Sequence, residues 1–181
     1  MAKGGEFERQ IAKLLSKWWT NGARDDIFWR TSMSGGRSTI RRRAGKTAHL
    51  QCGDLCAIDP IGQPFLQVFT PELKRGYGSA SLADLIDTPE HNKGLPKYRE
   101  WIQQTRMAKV NARSMAWMII HKRDKREMTL TAPAFMFNSD KLGRPADYLV
   151  STVAPDSTVI QMKLDDFLMM VKPKAIIQLA S

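Results

Sequence analysis

Three acidic residues and one lysine carry the clearest chemical signal in this chain of 181 residues. Glu72 and Lys74 stand two apart in an apolar run, so on a strand they would project from the same face. Asp54 opens the apolar segment before them, and Glu8 lies on the first predicted helix. If the fold brings these residues together, Asp54 and Glu72 can hold Mg²⁺ through their oxygens. The chemistry would then be metal-assisted phosphodiester hydrolysis, with Lys74 orienting water or stabilising charge and Glu8 binding metal waters or a second ion.

Other common catalytic patterns are missing from the sequence. No serine or cysteine triad with a histidine partner stands out, and no glycine-rich phosphate loop followed by lysine and serine or threonine occurs. The metal-assisted reaction needs no protein nucleophile, so it is the chemistry that these residue types favour.

The charge distribution favours a polyanionic partner. The net charge is +10, and two basic regions, residues 1–50 and 91–126, flank an acidic region, residues 51–90. Such basic surface attracts nucleic acid or an anionic membrane, and a divalent cation would let the acidic residues approach phosphate. The predicted phosphate contacts lie in a Ser/Gly/Arg-rich loop over residues 31–52 and along one helix: Arg37, Arg41, Arg42, Arg43, Lys46, Arg99, Arg106 and Arg113. A loop that binds nothing and a solvated helix face are the alternatives.

Hydrophobic spacing predicts the elements that must position the acidic residues. Apolar residues recur at helical intervals over residues 5–20, with Glu8 at the margin of the buried face. Residues 53–59 and 65–74 are predicted to form a β-hairpin around a turn at residues 60–64. Pro71 cannot donate a ladder hydrogen bond, so it predicts a sheet edge or a bulge.

The rest of the chain adds helices and strands with less chemistry. A second long helix is predicted over residues 98–113, followed by an interior strand over 115–121 and a partner strand over 128–131. A short helix is predicted near residues 163–171, and His121 is expected to be a structural residue at a strand end. The length predicts one compact domain, with a core over residues 1–131 and a C-terminal extension over residues 132–181 packed on it.

The two cysteines, Cys52 and Cys56, are predicted to be small buried hydrophobic residues. Four strand residues would separate their Cα atoms by roughly 13 Å, which is beyond the reach of a disulfide. A zinc site formed by His49, Cys52, Cys56 and His91 is the alternative, although this set has no recognised ligand spacing.

No membrane segment is expected. Uninterrupted apolar runs such as residues 116–120 and 167–171 are short, whereas a span needs about 20 residues. Lys13 and Lys17 interrupt the apolar character of the first helix, which is therefore no signal peptide. A cytoplasmic location is the expectation that follows.

Short motifs in the first two thirds of the chain resemble the PD-(D/E)xK nuclease superfamily. They are Gly5-x-Phe7-Glu8-Arg9 on the first helix, Arg30 with Ser34-Gly35-Gly36 in the loop, Gly53-Asp54, and Glu72-Leu73-Lys74. Over residues 4–122 the chain looks most similar to the archaeal Holliday-junction-resolvase-like and phage-encoded members. Gly53 stands where the superfamily's name has proline.

The resemblance implies an α/β fold with a restriction-endonuclease-like core, in which a mixed central β-sheet is flanked by helices. It also implies DNA cleavage with Mg²⁺ or Mn²⁺, with Glu8, Asp54 and Glu72 as metal-site acids and Lys74 as the catalytic lysine. Arg30 and Ser34 are accordingly expected among the DNA contacts.

The leading hypothesis is a metal-dependent DNA endonuclease, for which branched or junction DNA is one substrate option. A non-catalytic nucleic-acid-binding module on a nuclease-like fold is the alternative, and a zinc-stabilised RNA binder is a third reading. A homodimer is a further expectation by analogy, because cutting two strands takes two active centres.

Overall fold

A computed structural model describes residues 3–31, 53–87, 95–154 and 157–181. The helices are α1 (Lys3–Trp19), α2 (Gln63–Val68), α3 (Lys97–Ala112), α4 (Leu164–Met170) and α5 (Pro173–Ala180). The strands are β1 (Phe28–Arg30), β2 (Leu55–Ala57), β3 (Phe69–Arg75), β4 (Ala116–Lys122), β5 (Met128–Pro133), β6 (Leu149–Ala154) and β7 (Ser157–Lys163). Short 3₁₀ helices cover Pro60–Gly62, Leu82–Leu85 and Ala134–Met136.

The strands form one mixed five-stranded sheet and one small ladder. The order in the large sheet is β3-β4-β5-β7-β6. Strands β3 and β4 are parallel, whereas the other neighbours in this sheet are antiparallel. Strands β1 and β2 pair with each other in an antiparallel ladder. A mixed sheet flanked by helices confirms the predicted fold class.

Alternating side chains of β4 divide between two hydrophobic cores. Met118 and Ile120 belong to the larger core, which also includes the apolar face of α1 and residues of α4 and α5. Trp117 and Ile119 belong to a smaller core with Trp101 of α3. Because both faces of β4 are apolar, the strand is buried on both sides, as its sequence predicts. Helices α1 and α3 thus lie over opposite faces of the sheet.

The predicted long helices and the central strand pair are confirmed. Helix α1 buries the apolar residues whose spacing predicted it, and α3 begins and ends within one residue of its predicted limits. Strands β4 and β5 pair as expected, and α4 lies where a short helix was predicted. Strand β5 continues two residues beyond its predicted end, to Pro133.

The predicted β-hairpin is wrong. Residues 63–68 form α2, and only residues 69–75 form strand β3. Pro64 lies in the first turn of α2, where its missing N–H costs nothing and its fixed φ favours the helix. Strand β2 takes β1 as its ladder partner. Pro71 does lie on an edge strand, because β3 ends the large sheet, and its register with β4 is continuous.

Within the described ranges, no helix combines the length and the apolar character needed to cross a bilayer.

Candidate active site

Asp54 lies immediately before β2 and is held by backbone groups on two sides. Its N–H donates to the carbonyl oxygen of Pro71 at 2.9 Å, and its carbonyl oxygen accepts from the N–H of Thr31 at 2.9 Å. Its carboxylate Oδ2 accepts a hydrogen bond from the N–H of Leu73 at 2.7 Å. Asp54 therefore connects the end of β1 to the edge of β3 that does not pair with β4, and it is only 6% exposed.

Gly53 is required for this attachment. Its φ is +99°, a region that residues with a side chain rarely adopt. A Cβ at this position would also lie 2.5 Å from the carbonyl oxygen of Pro71, the acceptor of the Asp54 N–H. That oxygen belongs to the backbone of a strand and cannot move aside cheaply. Glycine before Asp54 thus permits the close approach of the two segments.

Glu72 and Lys74 project from the same face of β3, toward α3. The Lys74 ammonium donates to Glu72 Oε1 at 2.7 Å, and the Glu72 side chain is almost fully buried. Gln104 of α3 joins the pair: its Nε2 donates to Glu72 Oε1 at 3.1 Å, and its Oε1 accepts from Lys74 Nζ at 3.3 Å. The Lys74 ammonium also lies 5.8 Å from the ring centre of Trp101. The lysine is therefore held in place by contacts on three residues.

Glu8 enters the same region from α1. Its Oε2 lies 3.8 Å from Nη1 of Arg30 on β1, and the side chain is partly buried. The Arg30 guanidinium occupies the space that a Cβ on Gly5 would need, so the glycine one turn earlier on α1 leaves room for it. The packing of α1 on β1 and β3 thus brings one carboxylate and one guanidinium to Asp54 and Glu72. We call the group formed by Glu8, Asp54 and Glu72 the acidic edge.

The three carboxylates influence one another electrostatically. Burial raises the pKa of Glu72, the negative charge of Asp54 raises it further, and Lys74 opposes both effects. Burial likewise raises the pKa of Glu8, again with a further increase from Asp54, while Arg30 and Arg9 oppose it. The site therefore concentrates negative charge that its own cations only partly neutralise.

This donor set suits a hard divalent cation. Mg²⁺ is commonly held by one or two carboxylates together with water and substrate phosphate, and Asp54 and Glu72 supply oxygen ligands of that kind. Across the described parts of the chain, no three acidic, histidine or cysteine side chains stand close enough to hold one ion between them. The arrangement therefore fits a two-carboxylate site that is completed by solvent and substrate, and not a closed structural metal centre.

A scan against protein families matches residues 1–178 to the family described as "Phage putative PDDEXK endonuclease". The chain belongs to this family. The match covers nearly the whole chain, and it confirms the resemblance to the PD-(D/E)xK superfamily and to its phage-encoded members. Searches of the curated proteins and of the solved structures found no significant match. For a PDDEXK endonuclease, the substrate class is nucleic acid and divalent metals are the usual cofactors.

The structure brings only some of the predicted DNA contacts to this region. Arg30 lies at the acidic site, beside Glu8. Arg99 is half-buried, and its guanidinium lies 3.5 Å from the carbonyl oxygen of Leu85. Arg106 lines a groove beside α3, and Arg113 is exposed where α3 ends, with a φ of +57°. Five loop cations and one serine lie outside the described residues: Ser34, Arg37, Arg41, Arg42, Arg43 and Lys46.

The zinc alternative can be judged at one position. Cys56 is a half-buried free cysteine on β2, and burial raises the pKa of its thiol, which disfavours the thiolate that zinc needs. Cys52, His49 and His91 lie outside the described residues. His121 is buried at the end of β4, where its ring nitrogens contact the hydroxyl of Tyr98 and the carbonyl oxygen of Gly76. Its position agrees with the predicted structural role.

Gln104 is the site residue that sequence reasoning missed. It follows Trp101 by three positions on α3, so the two residues lie on neighbouring parts of one helix face. A polar residue beside the buried face is a weak signal, similar to the one that marked Glu8 on α1. The sequence contains Gln103 and Gln104 side by side, and only the packing of α3 on β3 distinguishes them.

Proposed function

We propose that this chain is a metal-dependent DNA endonuclease whose active site consists of Glu8, Asp54, Glu72 and Lys74. The observation that carries the proposal is the attachment of the Asp54 carboxylate to the N–H of Leu73, directly after Glu72 and beside the Glu72–Lys74 ion pair. Two buried carboxylates are thereby held at one strand edge. Membership of a PDDEXK endonuclease family supports this assignment.

In this proposal Asp54 and Glu72 hold Mg²⁺ or Mn²⁺, and Glu8 binds a second ion or water of the first. A bound divalent ion would supply charge neutralisation at the phosphate and acidify a water molecule for attack. Glu72 and Gln104 restrict the Lys74 ammonium, so that it can orient this water or stabilise the charge that develops on the phosphate. No covalent intermediate with the protein is needed.

The proposed DNA contacts are mainly to phosphate. Arg30, Arg106 and Arg113 are described cations that can reach a backbone, and the loop residues Ser34, Arg37, Arg41, Arg42, Arg43 and Lys46 are proposed to add to them. Arg99 is also proposed to contact phosphate. Less of its side chain is available to DNA, because its guanidinium packs on the 3₁₀ helix at Leu82–Leu85. Such contacts predict affinity that decreases steeply with salt and depends little on base sequence.

The decisive experiment compares cleavage by the wild-type protein with that by Asp54→Asn and Glu72→Gln. Supercoiled, linear, single-stranded and four-way-junction DNA are incubated with Mg²⁺, with Mn²⁺ and with EDTA. We expect metal-dependent cleavage by the wild-type protein and a decrease of about 10²–10³-fold or more for each variant, with DNA binding retained. The comparison of substrates tests whether junction or branched DNA is preferred.

Asp26→Asn is the matched control, because Asp26 is an exposed aspartate far from β3 in sequence. It should cleave like the wild-type protein. If the wild-type protein binds DNA but never cuts it with either metal, the chain is a non-catalytic nucleic-acid-binding module and the proposal is wrong. Sedimentation of the same protein tests the proposed homodimer.

A further inference from the structure

A groove of about 480 Å³ opens beside the C-terminal half of α3. Its walls come from α3, the start of β4, the segment after β5 and strand β7. The lining residues that matter here are Arg106, Lys109, Val110, Met115, Trp117 and Phe135. We call this feature the α3 groove. Its volume is in the range of sites that hold a small organic ligand.

The α3 groove has an unusually apolar lining for a surface feature. Val110, Met115 and Phe135 are large hydrophobic side chains that are 64%, 38% and 50% exposed. Single exposed apolar residues are ordinary, whereas three that share one concavity indicate a binding surface. Phe135 adds an aromatic face, on which a planar ring can stack.

The charges of the α3 groove are all positive. Arg106 and Lys109 line it, and none of its lining residues is acidic. Neither cation forms an ion pair with any residue that the structure describes. A third cation, Lys141, lies with its ammonium 4.5 Å from the ring centre of Phe135. An apolar floor with a cationic rim complements a ligand that joins a flat ring to a negative charge.

We infer that the α3 groove binds one unpaired nucleotide of a DNA strand, with its base against Phe135 and its phosphate facing Arg106 and Lys109. This inference rests on the proposed function, because DNA cleavage is what brings a strand to α3. The cationic rim favours DNA over an apolar segment of a protein partner, which would gain nothing from two unpaired cations. Base–aromatic stacking combined with basic side chains is the usual way to bind single strands.

The groove and the proposed active site share helix α3 but lie on different sides of it, because Arg106, Lys109 and Val110 project roughly 140–240° around the helix axis from Gln104. Gln104, which contacts Glu72 and Lys74, is two residues before Arg106 on α3. At 1.5 Å per residue, Gln104 and Val110 are separated by roughly 9 Å along the helix axis. At the far side, the hydroxyls of Ser114 and Thr70 are hydrogen-bonded at 2.6 Å, which joins the groove end of α3 to β3.

The inference makes the proposed substrate class, DNA, more specific. A base within a duplex is paired and stacked, so it cannot enter the α3 groove without being extruded. A base in a single-stranded tail, flap or junction is already free. The groove therefore predicts that the enzyme prefers DNA that contains an unpaired segment.

Fluorescence anisotropy of labelled oligonucleotides tests the groove directly, with the full chain in EDTA so that no cleavage occurs. Three ligands of equal length are compared: a single strand, a blunt duplex and a single strand without bases. We expect Phe135→Ala to weaken binding of the single strand by about tenfold and to leave the other two ligands unchanged. Arg106→Ala should weaken both single strands alike and reduce their salt dependence by roughly one phosphate contact.

Matched controls exist at the other edge of the sheet. Tyr148→Ala removes an exposed aromatic ring beside β6, and Arg144→Ala removes an exposed cation near it; neither should change binding. The inference is wrong if Phe135→Ala binds the single strand as tightly as Tyr148→Ala does. It is also wrong if Phe135→Ala weakens binding of the strand without bases as much as binding of the strand with bases. If it changes the oligomeric state and leaves DNA binding unchanged, the groove is an interface between two copies and the inference is also wrong.

The two proposals can fail separately. A protein that never cuts DNA with Mg²⁺ or Mn²⁺ but shows the Phe135-dependent preference disproves the enzyme and retains the groove. A protein that cuts DNA without that preference disproves the groove and retains the enzyme.

Discussion

Two groups of carboxylates in this protein lie in opposite electrostatic settings. On the surface, Arg24 contacts Asp26 at 2.8 Å and Asp59 at 2.7 Å. The hydrogen bond from Arg24 lowers the pKa of Asp26, while the N–H of Ile61, with help from Arg24, lowers the pKa of Asp59. These carboxylates are satisfied by the protein itself, and their role is to join the turn after α1 to the 3₁₀ helix at Pro60–Gly62.

At the acidic edge, formed by Glu8, Asp54 and Glu72, the pKa shifts have the opposite direction. Burial and mutual repulsion raise the pKa of Glu8 and of Glu72, although Arg30 and Lys74 lie beside them. Carboxylates kept in an unfavourable setting are typical of functional sites, since a cation or a substrate can complete them. The comparison shows that burial decides the direction of the pKa shift, because cations lie beside the carboxylates in both regions.

Removal of the lysine at the acidic edge should have the largest effect. Lys74→Met removes the 2.7 Å partner of Glu72 and the ammonium proposed to act on the phosphate, so we expect the cleavage rate with Mg²⁺ to decrease by about 10²–10³-fold. Arg24→Met removes the cation of the surface group and should leave this rate unchanged. A Lys74→Met protein that cleaves within twofold of the wild-type rate would contradict the role assigned to the lysine.

A pair of glycines, one in each region, tests the backbone. Gly53→Ala combines a strained φ of +99° with a Cβ 2.5 Å from the carbonyl oxygen of Pro71, and we expect it to lower the free energy of unfolding by about 3–5 kcal/mol. Gly22→Ala has a similar φ of +90° with open space around it and should cost only about 1 kcal/mol. Urea denaturation measures both. Equal losses would mean that the approach to Pro71 is not restrictive.

Two adjacent glutamines sharpen the definition of the site. Gln104→Leu removes both hydrogen bonds to the Glu72–Lys74 pair, and we expect kcat to decrease by about tenfold with little change in KM. Gln103→Leu, at an exposed position on the same helix, should behave like the wild-type protein. An increase in KM without a decrease in kcat would indicate that Gln104 contacts DNA and does not position the pair.

The smallest predicted effects have opposite signs in the two regions. Because its pKa is raised in the folded state, ionised Glu8 destabilises the protein above its pKa. Glu8→Gln should therefore be slightly more stable than the wild-type protein at pH 7, and this advantage should disappear as the pH falls through the raised pKa toward about 4. Asp59 has a lowered pKa, so Asp59→Asn should be less stable at pH 7; this deficit is fully present above about pH 4 and is lost only as the pH falls further, through the lowered pKa of the folded protein. Urea denaturation from about pH 2.5 to 7.5 measures both, and shifts of the same sign would contradict the comparison.

Elements with strong periodicity could be predicted from the sequence, and a short ambiguous run could not. Helix α1 and strand β4 carry long patterns that only one structure satisfies. The apolar run over residues 65–74 is compatible with a strand throughout, yet its first four residues belong to α2. Short apolar runs do not distinguish a buried helix from a buried strand, and Pro64 was the overlooked signal for a helix start.

The candidate site was predicted as a set of residues but not as an arrangement. A hairpin was expected to bring Asp54 to Glu72, whereas Asp54 reaches β3 through its own backbone and carboxylate, with β2 paired to β1. Nothing in the residue spacing distinguishes Gln104 from Gln103, because that difference depends on which side of α3 meets β3.

Local chemistry can be derived from the chain alone. The spacing of Glu72 and Lys74 puts both side chains on one strand face, glycine at position 53 permits a positive φ before Asp54, and the charge pattern indicates a polyanionic partner. These properties depend only on residues close together in sequence, because the allowed backbone dihedral angles fix where neighbouring side chains can point. The attachment of Asp54 to the edge of β3, the third contact on Lys74 and the joining of four walls into the α3 groove depend on segments far apart in sequence. Only packing of the whole chain decides such contacts, because many alternative pairings satisfy the same local pattern.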